Sequence, residues 1–229
     1  MFYHDKRWPE PFNHAVYTCD WGRSAVFLHN PTPNGATFNA HQQTFLAINR
    51  PTDIDVDGSG RMYVSSWQGG GFSYSHPNVG YIVQIVPENF RPKPFPDVTQ
   101  LDDSDLNQLL LGPSQVQNLH AQREILRRGR NPERTTALVN IASNENNPLT
   151  GRVAAIFTLK QLDGIEAKTN LIKLSKQTKI TEFALRALTD RQSELDNLNS
   201  EPFVHALGSN NLRVRAQALI SLGRLGDIS

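Results

Sequence analysis

A single cysteine, Cys19, occurs among the 229 residues, so the chain cannot form an intramolecular disulfide. It has no Cys-x-x-Cys-His motif, which excludes a covalently attached c-type haem within this sequence. No apolar run approaches the roughly 18 residues that a membrane span needs, and no basic-then-apolar signal segment opens the chain. Cys19 lies in the apolar stretch AVYTCDW. A single small thiol in such a stretch is more often a core side chain than a nucleophile.

Several motifs that carry chemistry are also missing. The run QGGGF lacks the lysine and helix of a phosphate-binding loop, and no Gly-x-Ser-x-Gly nucleophile turn occurs. The histidines show neither His-x-x-x-His nor His-x-x-Glu-His spacing, so none is assigned to a metal. The seven histidines are His4, His14, His29, His41, His76, His120 and His205.

Charge divides the chain into two unlike halves, although the net charge is only +1. Residues 1–114 carry 7 basic and 11 acidic side chains, whereas residues 115–229 carry 16 and 11. The first half is therefore acidic and the second basic, which suggests two separate domains.

The first ninety residues have the pattern of short β-strands. The stretches HAVYTCDW, SAVFLHNP, ATFNAHQQTFLA and YIVQIVP are aromatic or β-branched, and Gly, Pro and Asn turns separate them. We expect about six strands in meander order.

One acidic stretch, RPTDIDVDGSGRMYVSSW, admits two interpretations. Asp53, Asp55 and Asp57 precede a glycine, as in a calcium-binding loop, but the twelfth position of such a loop would be Val64, which has no side-chain oxygen. Alternation with β-branched residues and the DGSG turn favour a β-hairpin instead.

The pattern changes after a proline-rich stretch. We predict a linker over 91–114, with one short helix capped by Ser104. Residues 115–229 have helical periodicity, and Ala155, Ala187 and Ala218 recur 32 and 31 residues apart. Two helices per unit with this period are typical of an α-solenoid of the HEAT type.

Two segments resemble a known family. FYHDKRWPEPFNHAVYTCDWGR and RPTDIDVDGSGRMYVSSWQGG resemble late blades of glucose/sorbosone dehydrogenase-like β-propellers. The HAQREILRRG helix and the helical pairs resemble bacterial membrane-bound dehydrogenase-type proteins that join such a propeller to HEAT repeats and a c-type cytochrome. Ninety residues supply only about two blades, so we expect the chain to be a fragment of that architecture.

The resemblance implies the fold class and domain organisation. We expect an α+β protein with segregated domains, in which about two antiparallel blades of a partial β-propeller precede an α-solenoid of HEAT-type helix pairs. The predicted bounds are 1–90 for the blades, 91–114 for the proline-rich linker and 115–229 for the solenoid.

The resemblance also suggests candidate site residues. Asp20, Trp21 and Arg23 match a loop near the mouth of the propeller channel, where Arg would bind a cofactor carboxylate and Trp would stack on a planar ring. Trp67 would flank the same cleft, while Asp53 and Asp55 would face the channel. The alternative for each is a purely structural role, in a turn, in packing or on a solvated face.

Two function hypotheses follow. In the first, the segment is a non-catalytic structural or interaction module that packs against the missing blades, a cytochrome c domain or a protein partner. In the second, the complete parent is a periplasmic or extracytoplasmic quinone-dependent sugar or polyol dehydrogenase. The resemblance implies that this parent would bind pyrroloquinoline quinone and Ca²⁺. This chain alone would hold no cofactor.

A third alternative is nucleic-acid binding by a basic helical face. The run REILRRGRNPER, with further lysines and arginines, would form such a face. Few aromatic residues interleave with these charges, and cations near helix C-termini are common on solvated helices. The sequence therefore favours the interaction module for this segment.

Overall fold

The computed structural model describes residues 1–68 and 77–226, and the chain divides into two compact units. The first comprises Met1–Thr32, Phe38–Pro96 and Pro113–Gln117, and the second comprises Pro33–Thr37, Asp97–Gly112 and the chain from Asn118 onward. We call them the sheet unit and the helical unit.

Strands that are neighbours in the sequence pair within two antiparallel sheets in the described ranges. The strands are β1 (Phe2–His4), β2 (His14–Asp20), β3 (Ala25–Asn34), β4 (Thr37–Ala47), β5 (Asp53–Val56), β6 (Met62–Trp67) and β7 (Gly80–Ile85). The first sheet has four strands in the order β1-β2-β3-β4, and the second has three in the order β5-β6-β7.

The predicted hairpin is confirmed by the antiparallel pairing of β5 with β6. Its turn is organised by Asp57, whose Oδ1 accepts hydrogen bonds from the backbone amides of Ser59 at 2.9 Å and Arg61 at 3.0 Å. Burial acts to raise the pKa of Asp57, but a hydrogen bond from the Ser59 hydroxyl, the two amide bonds and a bond from the Tyr63 hydroxyl lower it overall. Gly60 closes the turn with φ of 93°, a conformation that favours glycine. The acidic stretch is therefore strand and turn.

The core of the sheet unit joins the inner faces of both sheets with the segment after β1. Trp8 is buried, and its indole Nε1 donates to the carbonyl of Gly60 at 2.8 Å. Tyr17 is also buried, and its hydroxyl donates to the Phe12 carbonyl at 2.8 Å. The buried members of this core are Tyr3, Trp8, Ala15, Tyr17, Val26, Leu28, Ile54, Val56, Met62 and Val64.

Buried charge accompanies this core at Asp5, whose side chain has no exposed area. The Arg7 Nε donates to both carboxylate oxygens, at 2.9 and 3.1 Å, and its Nη2 lies 2.6 Å from Oδ2. Arg7 also donates to the carbonyl of Ser59 and the hydroxyl of Ser114, both within the sheet unit. The pair therefore links three separate chain segments of that unit.

Helices make up most of the second unit. They are α1 (Asp103–Leu110), α2 (Gln115–Arg128), α3 (Pro132–Ser143), α4 (Leu149–Asp163), α5 (Lys168–Leu174), α6 (Thr181–Leu188), α7 (Glu201–Ala206) and α8 (Leu212–Leu225), with short 3-10 helices at Gly164–Ala167 and Gln192–Glu194. Asn131 caps α3 through a 2.7 Å bond from the Arg134 amide, and Pro132 occupies its first turn. Gly226, with φ of 76°, ends α8 in the left-handed conformation.

Small and aliphatic side chains form the core of the helical unit. Helix α3 packs on α4, α5 on α6, and α7 on α8, and α6 also contacts both α4 and α8. The recurring alanines, Ala155, Ala187 and Ala218, are all fully buried, as expected where helices approach closely. Arg152 is buried among them, and its guanidinium donates to the Ala142 carbonyl at 2.8 Å.

The stretch predicted as a linker contains α1. Its cap is Asp102, whose side chain accepts from the Asp105 amide at 2.8 Å, rather than Ser104 as predicted. An Asp cap serves the same purpose as serine because either side-chain oxygen can satisfy an N-terminal amide.

The predicted fold class, a partial β-propeller followed by a HEAT-type α-solenoid, is wrong. The described residues form an α+β structure with one four-stranded and one three-stranded antiparallel sheet and a group of helices, and they show no HEAT solenoid. The helices differ in length from 6 to 15 residues, and 3-10 segments interrupt them, so they do not form a uniform repeat. Alternation and helical period give local structure, but many arrangements share the same periods.

None of the helices within residues 1–68 and 77–226 combines the length and the apolar character that crossing a bilayer requires.

Candidate functional site

Two of the predicted site residues come together in the sheet unit. The rings of Trp21 and Trp67 lie with centroids 5.9 Å apart and planes tilted by 38°. The guanidinium carbon of Arg50 lies 4.9 Å from the Trp21 centroid and 5.5 Å from that of Trp67. These three distances form a triangle, so Arg50 lies beside the pair of rings, within cation–π range of both.

Arg50 holds this place with φ of 46°, in the left-handed region that is uncommon for residues other than glycine. The indole Nε1 of Trp67 is buried and has no hydrogen-bond partner among the described residues. The arrangement is a partly buried aromatic cluster with one cation, which we call the Trp–Arg cluster (Trp21, Arg50, Trp67).

Asp20 and Arg23, the other two residues predicted to bind a cofactor, lie at the turn after β2. The carboxylate of Asp20 accepts from the Arg23 amide at 2.9 Å, and the two side chains form a loose ion pair at 3.7 Å. The Arg23 guanidinium lies 5.9 Å from the ring of Phe27, and its side chain is 70% exposed. Their role in cofactor binding remains a prediction.

Asp53 and Asp55 are exposed on β5, and each carboxylate accepts from the next backbone amide at 2.8 Å. Asp53 also lies near Cys19: burial raises the pKa of the Cys19 thiol, and the Asp53 carboxylate raises it further. A raised thiol pKa reduces the thiolate fraction, so Cys19 has the character of a packing residue. His76 and the rest of the glycine-rich loop at 69–76 lie outside the described residues.

The basic run of the second half is largely paired with carboxylates of the same unit. Glu124 is 4% exposed and accepts from Arg127 at 2.7 Å and from Arg128 at 2.8 Å. Hydrogen bonds from Arg127 and then Arg128 lower the pKa of Glu124 to about 2. Arg128 and Arg134 each lie 2.9 Å from Asp103.

Arg130 continues this pattern, with its Nε 3.2 Å from Asp163. Four of the run's five arginines are therefore paired with three carboxylates, and only Arg123 makes no ion pair within the described residues. This pairing reduces the charge of the arginine run, whereas the lysines of the predicted basic face are not affected by it.

A groove that the sequence did not suggest lies within the helical unit. It has a volume of about 860 Å³, within the roughly 300–1,000 Å³ typical of ligand pockets. Helices α5 and α7 and the beginnings of α6 and α8 form its walls. Its lining residues are Ile172, Ser175, Lys176, Thr178, Thr181, Glu201, Pro202, His205, Ala206, Gly208, Ser209, Asn211 and Val214.

The groove combines an apolar base with polar rims. Ala206 and Val214 are buried, whereas Lys176, Glu201 and His205 are exposed. Hydroxyl groups on both sides could hydrogen-bond to a backbone.

One lysine, Lys176, lines the groove just after α5, and Lys173 and Lys179 lie three positions to either side of it in the sequence. Lys173, Lys176 and Lys179 are exposed and make no salt bridge within the described part of the chain. The acidic groups nearby are Glu201, which is exposed, and Glu182, which is bound by Arg213 at 2.7 Å. The groove therefore has a positive excess on one side.

Metal ligands do not gather in this structure: within residues 1–68 and 77–226 no group of three or more His, Cys, Asp or Glu side chains is placed to hold an ion. The quinone and Ca²⁺ suggested for a complete parent remain predictions. Comparison with known proteins gives no family, because no protein-family model and no curated protein sequence matches the chain.

Proposed function

We propose that this chain is a non-catalytic protein-interaction module whose helical unit binds an acidic, extended segment of a partner protein. The observation that carries the proposal is the groove of about 860 Å³, which has an apolar base and the exposed Lys176 in its lining. The interaction module was also the function that the sequence favoured.

The chemistry of the lining supports a peptide as the occupant. An apolar side chain of the partner would fill the base over Ala206 and Val214. The hydroxyls of Ser175 and Thr181 donate to the carbonyls of Ile172 and Gln177, so they would serve a peptide backbone as acceptors for its amides. Binding modes of this kind combine main-chain hydrogen bonds with one or two side-chain pockets.

Charge sets the partner's composition. Lys176 lies in the groove lining, and the exposed Lys173 and Lys179 are three residues away on either side in the sequence, so an acidic side chain of the partner would meet Lys176 first. Complementary charge of this kind increases the association rate and excludes basic partners. The exposed Glu201 on the opposite wall orients a partner so that its acidic side lies toward α5.

A peptide-display selection against the full chain tests the proposal. We expect enriched peptides to carry Asp or Glu beside an apolar residue. Lys176→Glu should weaken their binding about tenfold, which corresponds to roughly 1.4 kcal/mol. Thr178→Trp, at an exposed position on the rim, should weaken binding by filling the groove.

Arg123→Glu is the matched control, because it makes the same charge reversal at an exposed, unpaired arginine on α2. Peptides that bind Lys176→Glu and the wild type equally would contradict the proposal, as would a selection that enriches nothing. Binding of free glutamate or phosphate with the same affinity as the peptides would indicate a small-anion site instead.

The resemblance to extracytoplasmic sugar dehydrogenases remains a prediction about a parent protein. None of the site residues that the resemblance suggested lines the groove. The proposed interaction therefore does not depend on the resemblance.

A further inference from the structure

Two histidines lie side by side on the first sheet. His4 on β1 and His14 on β2 are direct partners in the antiparallel register. The amide of the next residue, Asp5, donates to the Asn13 carbonyl at 2.9 Å, which places the histidines at a non-hydrogen-bonded pair. Side chains at such pairs are closer than at hydrogen-bonded ones, and the two Nδ1 atoms are 3.0 Å apart.

The two rings have one aromatic neighbour and an open side. The imidazoles are nearly perpendicular, at 86°, with centroids 5.1 Å apart. The ring of Phe2 packs edge-on against His14 at 5.2 Å, and the backbone amide of His4 donates to the Gln115 side chain at 3.0 Å. The pair lies on the face opposite the buried Tyr3 and Ala15, and His14 is exposed. The pair is therefore accessible to an ion from solvent.

The separation of the two Nδ1 atoms matches a right-angled coordination geometry better than a tetrahedral one. With metal–nitrogen bonds of about 2.0–2.1 Å, two nitrogens at 90° lie about 2.9 Å apart, whereas tetrahedral ligands lie about 3.3–3.4 Å apart. The observed 3.0 Å is close to the first value. Right-angled positions belong to the square-planar or tetragonal geometry of Cu²⁺ and Ni²⁺.

We propose that His4 and His14 form a two-histidine site for Cu²⁺ or Ni²⁺, with both Nδ1 atoms as ligands and water in the remaining positions. In the metal-free chain one Nδ1 carries the proton shared by the 3.0 Å contact. On binding, that ring transfers its proton from Nδ1 to Nε2 through solvent, so both lone pairs become available and no net proton is released from two neutral rings.

His29 provides the matched control on the same sheet. It lies on β3, paired with Val16, so it shares the outer face with His14. Its Nε2 contacts the hydroxyl of Thr18 at 2.9 Å, and among the described residues no second imidazole is in contact with it.

Titration calorimetry of the tag-free full chain with CuCl₂, NiCl₂ and ZnCl₂ tests the site. We expect one ion per chain, with affinity falling in the order Cu²⁺, Ni²⁺, Zn²⁺. His4→Gln and His14→Gln should each weaken Cu²⁺ binding roughly tenfold or more, because the second ligand no longer binds intramolecularly. His29→Gln should leave binding unchanged.

Electron paramagnetic resonance of the wild-type Cu²⁺ complex gives a readout that is independent of variant folding. Hyperfine splitting from two imidazole nitrogens is expected, and from one in either variant. The proposal fails if wild-type Cu²⁺ shows a single nitrogen or does not bind. It also fails if His29→Gln weakens binding as much as His14→Gln.

Discussion

The buried Asp5–Arg7 ion pair allows a quantitative prediction for the sheet unit. Asp5→Ala removes the carboxylate and leaves the Arg7 guanidinium with the Ser59 carbonyl and the Ser114 hydroxyl as hydrogen-bond partners and the Phe90 ring at 5.8 Å. Removing one partner of a buried pair costs about 3–5 kcal/mol, because the other charge stays desolvated. Since the Arg7 side chain is 21% exposed, we expect the lower end, about 3 kcal/mol.

Urea unfolding followed by tryptophan fluorescence measures this loss selectively. All three tryptophans, Trp8, Trp21 and Trp67, belong to the sheet unit, so their emission follows that unit. With a urea dependence of about 2 kcal/mol per M, the midpoint should fall by about 1.5 M. Circular dichroism at 222 nm, dominated by the helices, provides the parallel signal for the helical unit.

Two comparisons separate charge from packing. Asp55→Ala removes an exposed carboxylate from the same unit and should change stability by no more than about 0.5 kcal/mol. The double variant Asp5→Leu with Arg7→Met removes both charges and should recover most of the loss, because no unpaired charge remains. A loss below about 1 kcal/mol in Asp5→Ala would refute the argument that this pair stabilises the unit. So would a double variant no better than the single one.

Two further predictions concern Glu124 and Arg50. Because the pKa of Glu124 is lowered to about 2 in the folded chain, its contribution to stability is present above the unfolded pKa of about 4.3 and is lost as pH falls toward 2. The difference in unfolding free energy between wild type and Glu124→Gln, measured at 222 nm, should therefore shrink from pH 6 to pH 2.5, and a constant difference would contradict this. Arg50→Ala should cost about 1 kcal/mol, since partly exposed cation–π contacts are worth about 0.5–1 kcal/mol each, and should increase acrylamide quenching of tryptophan emission. Unchanged quenching would show that Arg50 does not cover the rings, and Arg23→Ala is its control.

Local structure was largely predictable from the sequence because it depends on neighbouring residues. The DGSG turn required a glycine with positive φ at Gly60, and alternation then placed Ile54 and Val56 in the core. Asn131 and Pro132 likewise determine the start of α3. The global arrangement was not predictable in this way. The propeller was inferred from the resemblance of two short segments to late blades, and the solenoid from a helical period that other folds share.

The candidate sites depend on contacts that no local pattern encodes. Trp21 and Trp67 were both proposed as site residues, but Arg50 was missed because it joins them only through the tertiary packing of its loop. His4 and His14 could be recognised as a pair only once the register of β1 and β2 was known, and the nine residues between them do not specify it. A one-residue slip would send one of the two rings to the opposite face of the sheet.

The helical half shows why the number of basic residues in a sequence is a poor guide to the charge that the surface presents. The arginine-rich run gave the sequence its basic character, yet Arg128 bonds to Asp103 from 25 positions away, and Glu124 is enclosed by two arginines. Arginine suits such pairs because its planar guanidinium binds a carboxylate through two nitrogens, whereas lysine offers a flexible point charge. Lys176, which makes no salt bridge within the described residues, lies instead in the lining of the groove. Lys176 should consequently affect binding more than any arginine of the longer and more conspicuous run.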